Sequence, residues 1–361
     1  MTGAVGDGWR KGRGALGNPA PRYLPVERQI ADDGWGGQAP GPGPRLRTTV
    51  TLESPRSIVS RNRSPDVPFD RSINPYRGCE HGCIYCYARP THAYLDLSPG
   101  LDFETRLFAK PAAAELLRRE LSRNGYRCRP IALGTNTDPY QPIERRFQVT
   151  RQIIEVLADC GHPLLITTKS SLVERDLDLL APMAARGLVK VSLSLTTLDH
   201  DLARRLEPRA TAPRRRLQTL ERLAAAGIPA GVMFAPVIPA VNDREMEEVL
   251  RQAAAVGCRF AGYVVLRLPR EVRGLFRQWL RSHRPHAEGR VFQLIRELRQ
   301  GRENDPRFGT RMKGSGAFAL LIAQRFRLCC SRLGLNRAPL ALDTGRFRPP
   351  SAPPARQLSL F

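Results

Sequence analysis

Three of the chain's eight cysteines fall within eight residues, as Cys79-Glu80-His81-Gly82-Cys83-Ile84-Tyr85-Cys86, followed by Tyr87, Ala88 and Arg89. This C-x3-C-x2-C spacing lets one loop wrap three thiolates around a corner of an iron–sulfur cluster. The fourth iron is then left without a protein ligand, so it can bind and reduce a small molecule. A zinc knuckle is the rival reading, with His81 or His92 completing the site. Structural zinc, however, usually draws its ligands from two separated pairs, and no second C-x2-C follows. A disulfide framework is not expected in a chain without a secretory signal.

Two further polar clusters stand at the ends of apolar stretches. Thr135, Asn136, Thr137 and Asp138 follow the apolar residues 130–133 and offer hydroxyl, amide and carboxylate acceptors, or a plain Asx turn. Ser192, Ser194 and Thr196 alternate with apolar residues, so by the period of two they share one strand face.

Six apolar stretches must position these groups: 72–76, 130–133, 162–168, 188–195, 229–238 and 260–268. Between them, 109–122, 150–160, 172–185, 214–226 and 243–255 carry the apolar spacing of amphipathic helices, the last two closed by Gly227 and Gly257. Strands alternating with helices predict an α/β fold, a parallel sheet with helical crossovers. In barrel-type folds of this class ligands gather at the carboxyl ends of the strands, where the cysteine loop and both polar clusters stand.

Lys plus Arg number 57 against 34 Asp plus Glu, a net charge of +23 that is almost all arginine. A field of that sign favours a polyanionic partner, and nucleic acid is the expected one. A high-GC genome explains arginine over lysine but not the deficit of acids. Half of the charge lies beyond residue 270, with 18 basic and 6 acidic residues from 271 to 361. Trp279, His283 and His286 are interleaved with those arginines, and Arg311 and Lys313 stand in a Gly-rich stretch before a final helix at 317–333. This basic, mainly helical extension therefore reads as a substrate-binding appendage. Residues 1–45 hold 17 Gly or Pro and too little apolar surface to offset ordering, so a disordered N-terminal arm is expected, with Arg10, Lys11 and Arg13 free for loose phosphate contact. The domain plan is an arm at 1–65, a core at 66–270, the extension at 271–345 and a Pro-rich tail at 346–361. No apolar run is long enough to span a bilayer and the N-terminus has no apolar h-region, so a cytoplasmic protein without membrane contact is expected.

The cysteine loop, with Asn74-Pro75-Tyr76-Arg77-Gly78 before it and the alternating strands and helices after it, resembles the radical S-adenosylmethionine (SAM) superfamily. The resemblance covers about residues 70–269 and implies an open (β/α)6 partial barrel. It also implies a 4Fe-4S cluster on Cys79, Cys83 and Cys86, with SAM chelating the open iron. An electron from a reductant such as flavodoxin or ferredoxin would cleave SAM, and the resulting 5′-deoxyadenosyl radical would take a hydrogen atom from substrate. Thr135, Asn136, Thr137 and Asp138 would then serve the amino group of SAM, and Ser194 and Thr196 its ribose and carboxylate. Tyr85 and Tyr87 would shield the cluster or flank the adenine.

Glu207-Pro208, Arg216, Ala226-Gly227-Ile228-Pro229 and Ala235-Pro236-Val237-Ile238-Pro239 narrow the resemblance to the spore photoproduct lyase branch. That likeness carries Glu207 and Arg216 over as polar groups around SAM. The span from 70 to about 333 is similar to the bacterial predicted DNA repair photolyases of that branch. One departure matters: the spore lyases carry Cys-Thr-Ser-Asp where this chain has Thr135-Asn136-Thr137-Asp138. Their cysteine returns a hydrogen atom to the repaired thymine, and a hydroxyl O–H is too strong a bond for Thr135 to do the same.

Residues Gln357, Leu358, Ser359, Leu360 and Phe361 resemble the pentapeptide by which bacterial repair and replication proteins bind the sliding clamp. A tail of this kind presents Leu and Phe anchors to an apolar groove while Gln sets the register. Together these features predict a radical SAM enzyme acting on DNA, by repair or base modification. A radical SAM enzyme of RNA or protein, and a non-catalytic iron–sulfur or zinc nucleic-acid-binding protein, are the competing classes.

Overall fold

A computed structural model of the chain describes residues 10–24 and 46–350. Strands β1 (Thr49–Leu52) and β2 (Val59–Arg61) precede β3 (Arg71–Ile73), β4 (Tyr76–Arg77) and β5 (Arg106–Ala109). They are followed by β6 (Ile131–Leu133), β7 (Leu164–Thr168), β8 (Val189–Ser194), β9 (Ala230–Val237) and β10 (Phe260–Val265). The main sheet runs β10-β9-β8-β7-β6-β3-β2. All neighbours from β3 to β10 in that row are parallel, and β2 alone joins antiparallel. The helices are α1 (Asp102–Thr105), α2 (Ala113–Leu121), α3 (Glu144–Phe147), α4 (Val149–Asp159), α5 (Leu177–Ala185) and α6 (His200–Leu206). After these come α7 (Pro213–Ala225), α8 (Met246–Ala255), α9 (Glu271–His283), α10 (Glu288–Leu298) and α11 (Gly316–Leu333).

Six parallel strands with helical crossovers form the expected open (β/α)6 partial barrel. Parallel strands covered by helices are buried on both faces, and β6 is buried at every position. Ile153, Ile154 and Leu157 of α4, Leu220 and Leu223 of α7, and Val249 and Leu250 of α8 pack with Ile131, Leu164, Val191 and Val232 in one core. Each such side chain contributes about 1.5–3 kcal/mol on burial. Gly227 and Gly257, with φ of 73° and 91°, end α7 and α8 in the left-handed conformation that glycine tolerates.

A second, three-stranded sheet of order β1-β5-β4 stands at the barrel mouth. Its β4 leads through Gly78 straight into Cys79, so this sheet brackets the cysteine loop. Strands this short carry almost no periodic signal, and β4 and β5 were not expected.

The expected disordered arm does not describe residues 10–24 and 46–65. Arg13, Ala15 and Leu16 are buried, and the Gly14 and Ala15 amides donate to the Glu104 carboxylate at 3.0 and 2.9 Å. Arg13 is not free for phosphate: it donates to the carbonyls of Glu104 and Leu46 at 2.9 and 2.7 Å. Glu104 offers fixed acceptors that compensate the ordering of a Gly-rich segment, and nothing in the composition foretells that.

The C-terminal part is built into the barrel. Val272, Leu275, Phe276, Trp279 and Leu280 of α9 share a core with Val291 and Phe292 of α10 and with Ile84 and Tyr85 of the cysteine loop. Trp279 is therefore a core residue, its indole donating to the Arg205 carbonyl at 3.0 Å, and not an exposed stacking platform. Much of the surrounding charge is internally paired: Arg277 and Arg296 meet Glu303, and Arg281 meets Glu288.

Two connections complete the barrel. The Val265 amide donates to the Met312 carbonyl at 2.8 Å, while Asp66 accepts from Arg311 at 2.5 Å and from the Gly309 amide at 2.7 Å. Residues 309–312 thus bridge the β10 edge to the loop between β2 and β3. Beyond α11, residues 336–350 cross the base, where the strands begin. Asn336 bonds the Arg259 carbonyl, Asp343 that of Gly187 and Arg348 that of Cys160, and Pro350 reaches Ser122. No helix among the described residues is long and apolar enough to cross a membrane.

Candidate active site

Cys79 and Cys83 are buried and Cys86 is half-buried, all with free thiols. The loop that carries them is tightly turned: the Gly82 and Cys86 amides donate to the Cys79 and Cys83 carbonyls, and Gly78 and Gly82 have φ of 72° and 66°. Gly82 is also closely packed, since a Cβ there would lie 2.8 Å from Glu104.

Beneath the loop lies Arg89, wholly buried. Its guanidinium donates to the carbonyls of Gly82, Cys83, Pro99 and Gly100 at 2.9–3.1 Å and to Glu104 at 2.6 Å. These bonds fix the backbone between the first two cysteines. Glu104 in turn holds Gly14 and Ala15, so the N-terminal segment, α1 and the cysteine loop form one unit. Arg89 adjoins the motif, yet its sequence position gives no hint of this role; Glu104 carries no local signal at all.

Burial raises the Cys79 thiol well above its ordinary value, with Asp138 and Cys83 adding to the effect, and pushes Cys83 up to about 12. Buried thiols of this kind suit a centre whose irons supply the charge that deprotonates them. Among the described residues no three His, Cys, Asp or Glu side chains converge on the single point a lone ion would occupy. A 4Fe-4S cluster instead needs its thiolates set apart at three corners, and a loop with three cysteines fits it.

Around this loop stand the ends of the parallel strands. At the end of β8, Ser194 and the following Thr196 are buried, with Ser192 half-buried. The Thr196 hydroxyl donates to Glu207 at 2.6 Å, Tyr85 also donates to that carboxylate, and Arg216 pairs with it while donating to the Ser194 carbonyl at 2.8 Å. Burial opposes ionisation of Glu207, but Arg216 and Lys169 hold its carboxyl down at about 2. Tyr85 is thereby fixed by its phenol within this network and is 7% exposed.

Lys169, directly after β7, was missed by the sequence reading. Burial opposes its charge, yet Cys83 and Glu207 outweigh that and raise its pKa. Its ammonium lies 5.9 Å from the Tyr85 ring centroid. The available signal was its place at a strand end, as one of only five lysines in the chain.

The residues after β6 divide. Thr137 is buried and donates to the Tyr76 carbonyl at 3.0 Å. Asp138 accepts from the Thr168 hydroxyl at 2.7 Å and the Lys169 amide at 2.8 Å, with His81 at 3.3 Å. Although burial resists it, His81 and these bonds bring the Asp138 carboxyl to about 2. Thr135 and Asn136 are half-exposed, and the Thr135 carbonyl accepts from the Tyr87 phenol. Tyr87 itself is 45% exposed at the mouth.

Residues 73–253 match the model of the Radical SAM superfamily. An uncharacterized protein of Mycobacterium tuberculosis is 42% identical over 232 residues, which span 64% of this chain and 68% of that protein. An uncharacterized protein of Methanocaldococcus jannaschii is 29% identical over 173 residues, 48% of this chain and 62% of the other. Among solved structures, spore photoproduct lyase complexed with dinucleoside spore photoproduct aligns over 79% of this chain and 80% of its own, with a TM-score of 0.56 and 15% identity. A variant of that lyase with bound AdoMet and the same dinucleoside aligns equally well, also with a TM-score of 0.56 at 15% identity, covering 79% of this chain and 80% of its own. At that identity the likeness establishes a shared fold.

Proposed function

This chain belongs to the radical SAM superfamily, whose members use a 4Fe-4S cluster and SAM, and on that premise we propose that it acts on DNA, repairing or modifying a base. Bound together, cluster and SAM would supply hydrogen-atom abstraction from substrate. Cys79, Cys83 and Cys86 hold three irons, while Arg89 keeps their loop in one conformation. Lys169 offers a cation for the SAM carboxylate. Thr135 and Asn136 offer acceptors for its amino group, with Asn74 accepting from the Asn136 amide to hold their turn in place. Ser194, Thr196, Glu207 and Arg216 form the wall opposite. Tyr85 closes that wall against water, and Tyr87 stands where substrate enters.

The observation that carries the reading is the buried group of Lys169, Glu207 and Arg216, two cations about one carboxylate, standing beside a three-cysteine loop at one end of the barrel. The DNA substrate rests on the net charge of +23, on a fold shared with a lyase whose solved complex holds a dinucleoside photoproduct, and on the clamp-like residues 357–361, which lie outside the described residues. Thr135, in the place of the spore lyases' cysteine, points away from spore photoproduct reversal itself. The reductant is a low-potential electron carrier such as flavodoxin or ferredoxin. Anaerobic turnover with damaged DNA carrying deuterium tests the reading. Deuterium in 5′-deoxyadenosine is expected; SAM cleavage with no transfer from any nucleic acid would move the substrate to a protein.

A further inference from the structure

The arginines near the mouth are almost all matched. Arg216 has Glu207, Arg89 has Glu104, Arg209 has Glu80 and Arg311 has Asp66. Arg299, between α10 and the 309–312 bridge, donates to the carbonyls of Thr310 and Leu266. Arg267, just past the end of β10, differs. Its Nε is buried without a hydrogen-bond partner, and one terminal nitrogen faces only the Met312 sulfur at 3.8 Å. Among the described residues it forms no ion pair. The nearby carboxylate, Asp66, already accepts from Arg311 and from the Gly309 amide.

Such a placement is costly. Burial works against the Arg267 charge, and Arg311 repels it, so its pKa is lowered. A guanidinium held this way, its Nε enclosed and one terminal nitrogen resting on a thioether sulfur, leaves its terminal edge for an anion that arrives from outside. Its position shows where. The guanidinium carbon lies 5.2 Å from the centroid of the Tyr87 ring, whose phenol is bonded to the Thr135 carbonyl. Arg267 from the last strand and Thr135 from the second are therefore joined across the mouth by the residue that follows Cys86.

We propose that Arg267, packed on Tyr87, is a phosphate-binding subsite for the nucleic-acid substrate, receiving a backbone phosphodiester beside the reacting nucleotide. This rests on the nucleic-acid reading above and adds to it the group that positions the strand. A planar fork suits a phosphodiester, whose two free oxygens accept bidentately. The half-exposed Tyr87 ring, and Phe308 at 57% exposed with the Arg311 guanidinium 4.5 Å above it, offer aromatic faces alongside for unstacked bases. The SAM carboxylate has a different cation, Lys169, on the Cys83 and Glu207 side of the site.

The test is fluorescence-anisotropy binding of a labelled single-stranded oligodeoxynucleotide to the full chain with its cluster reconstituted, across a salt series. Arg267→Gln should weaken binding about tenfold and reduce the slope of log Kd against log salt by about 0.7, the loss of one phosphate contact to a single strand. Arg267→Lys should keep the slope and lose part of the affinity. Cluster absorbance and SAM affinity should stay at wild-type values in both variants, and Arg281→Gln, which removes an exposed charge paired with Glu288, should alter neither affinity nor slope. Wild-type affinity and slope in Arg267→Gln would overturn the proposal. So would weaker binding with an unchanged slope, the mark of a packing role, or a loss confined to SAM affinity. If the wild-type chain binds no oligonucleotide, the nucleic-acid reading fails first and the subsite with it.

Discussion

Glu207 and Arg216 meet as an ion pair in which each side chain is only 1% exposed. Arg216 also holds the carbonyls of Ser194 and Thr211, and Glu207 accepts from Tyr85 and Thr196, so the pair ties the end of β8 to the cysteine loop. Removing one partner of such a pair strands the other charge. Glu207→Ala should destabilise the fold by about 3–5 kcal/mol. Glu207→Gln keeps shape and one acceptor but also leaves Arg216 without a counter-charge, and should still cost about 3 kcal/mol, the low end of that range. Urea unfolding followed by circular dichroism measures both; an alanine variant with an unchanged midpoint would refute the assignment.

Gly14 and Gly82 interlock. A Cβ on Gly14 would lie 1.8 Å from the Gly82 carbonyl oxygen, a contact that backbone cannot yield cheaply. Gly14→Ala should lift the N-terminal segment from the cysteine loop at a cost of about 1–3 kcal/mol. Faster proteolysis near Arg13 and faster bleaching of the cluster by a chelator are the expected readouts. Unchanged rates in both would show that the segment does not protect the loop.

His162 sits at the barrel base. Its Nδ1 faces the Pro163 carbonyl at 3.0 Å, which can only accept, so Nδ1 carries the proton and Nε2 accepts from the Tyr126 phenol at 2.9 Å. Burial, opposed by the Pro163 bond, lowers the pKa of this neutral ring from 6.5 to about 4. Between those values the unfolded chain binds a proton that the fold does not. The stability contributed by neutral His162 is present above pH 6.5 and is lost as pH falls toward 4, with a slope of at most about 1.4 kcal/mol per pH unit. Thermal midpoints across that window should fall with acid, and less steeply in His162→Gln. Parallel curves for the two proteins would contradict the assignment.

Deleting residues 357–361 should abolish binding to a bacterial sliding clamp, measured by surface plasmon resonance, and leave iron content unchanged. Retained binding would remove the clamp from the list of partners.

Strands β7 to β10 and the crossover helices were legible because they are long enough, and apolar enough, to display their period, whereas β3 and β6, of three residues each, were placed by the apolar stretches that run up to the cysteine loop and to Gly134. Helix α11 was expected at 317–333 and spans Gly316–Leu333. What could not be read were short elements and long-range pairings. Strands β4 and β5, of two and four residues, have no period to detect. The cysteines, Glu207 and Arg216 could be singled out because motifs name them. Lys169, Glu104 and Arg267 act through partners distant in the chain, and a sequence does not display its contacts. Trp279 misled for the same reason: an aromatic among arginines looks like a nucleic-acid surface until the facing apolar residues are known.

The segment 336–350 that crosses the base fixes more than the barrel. It delivers the chain at Pro350 beside Ser122, at the end of the molecule opposite the cysteine loop. A partner held at Pro350 would therefore sit on that rear face. A tether made there would act like a mooring line fastened to the stern: the catalytic end stays free to swing onto a strand, and holding and reacting do not compete for one surface.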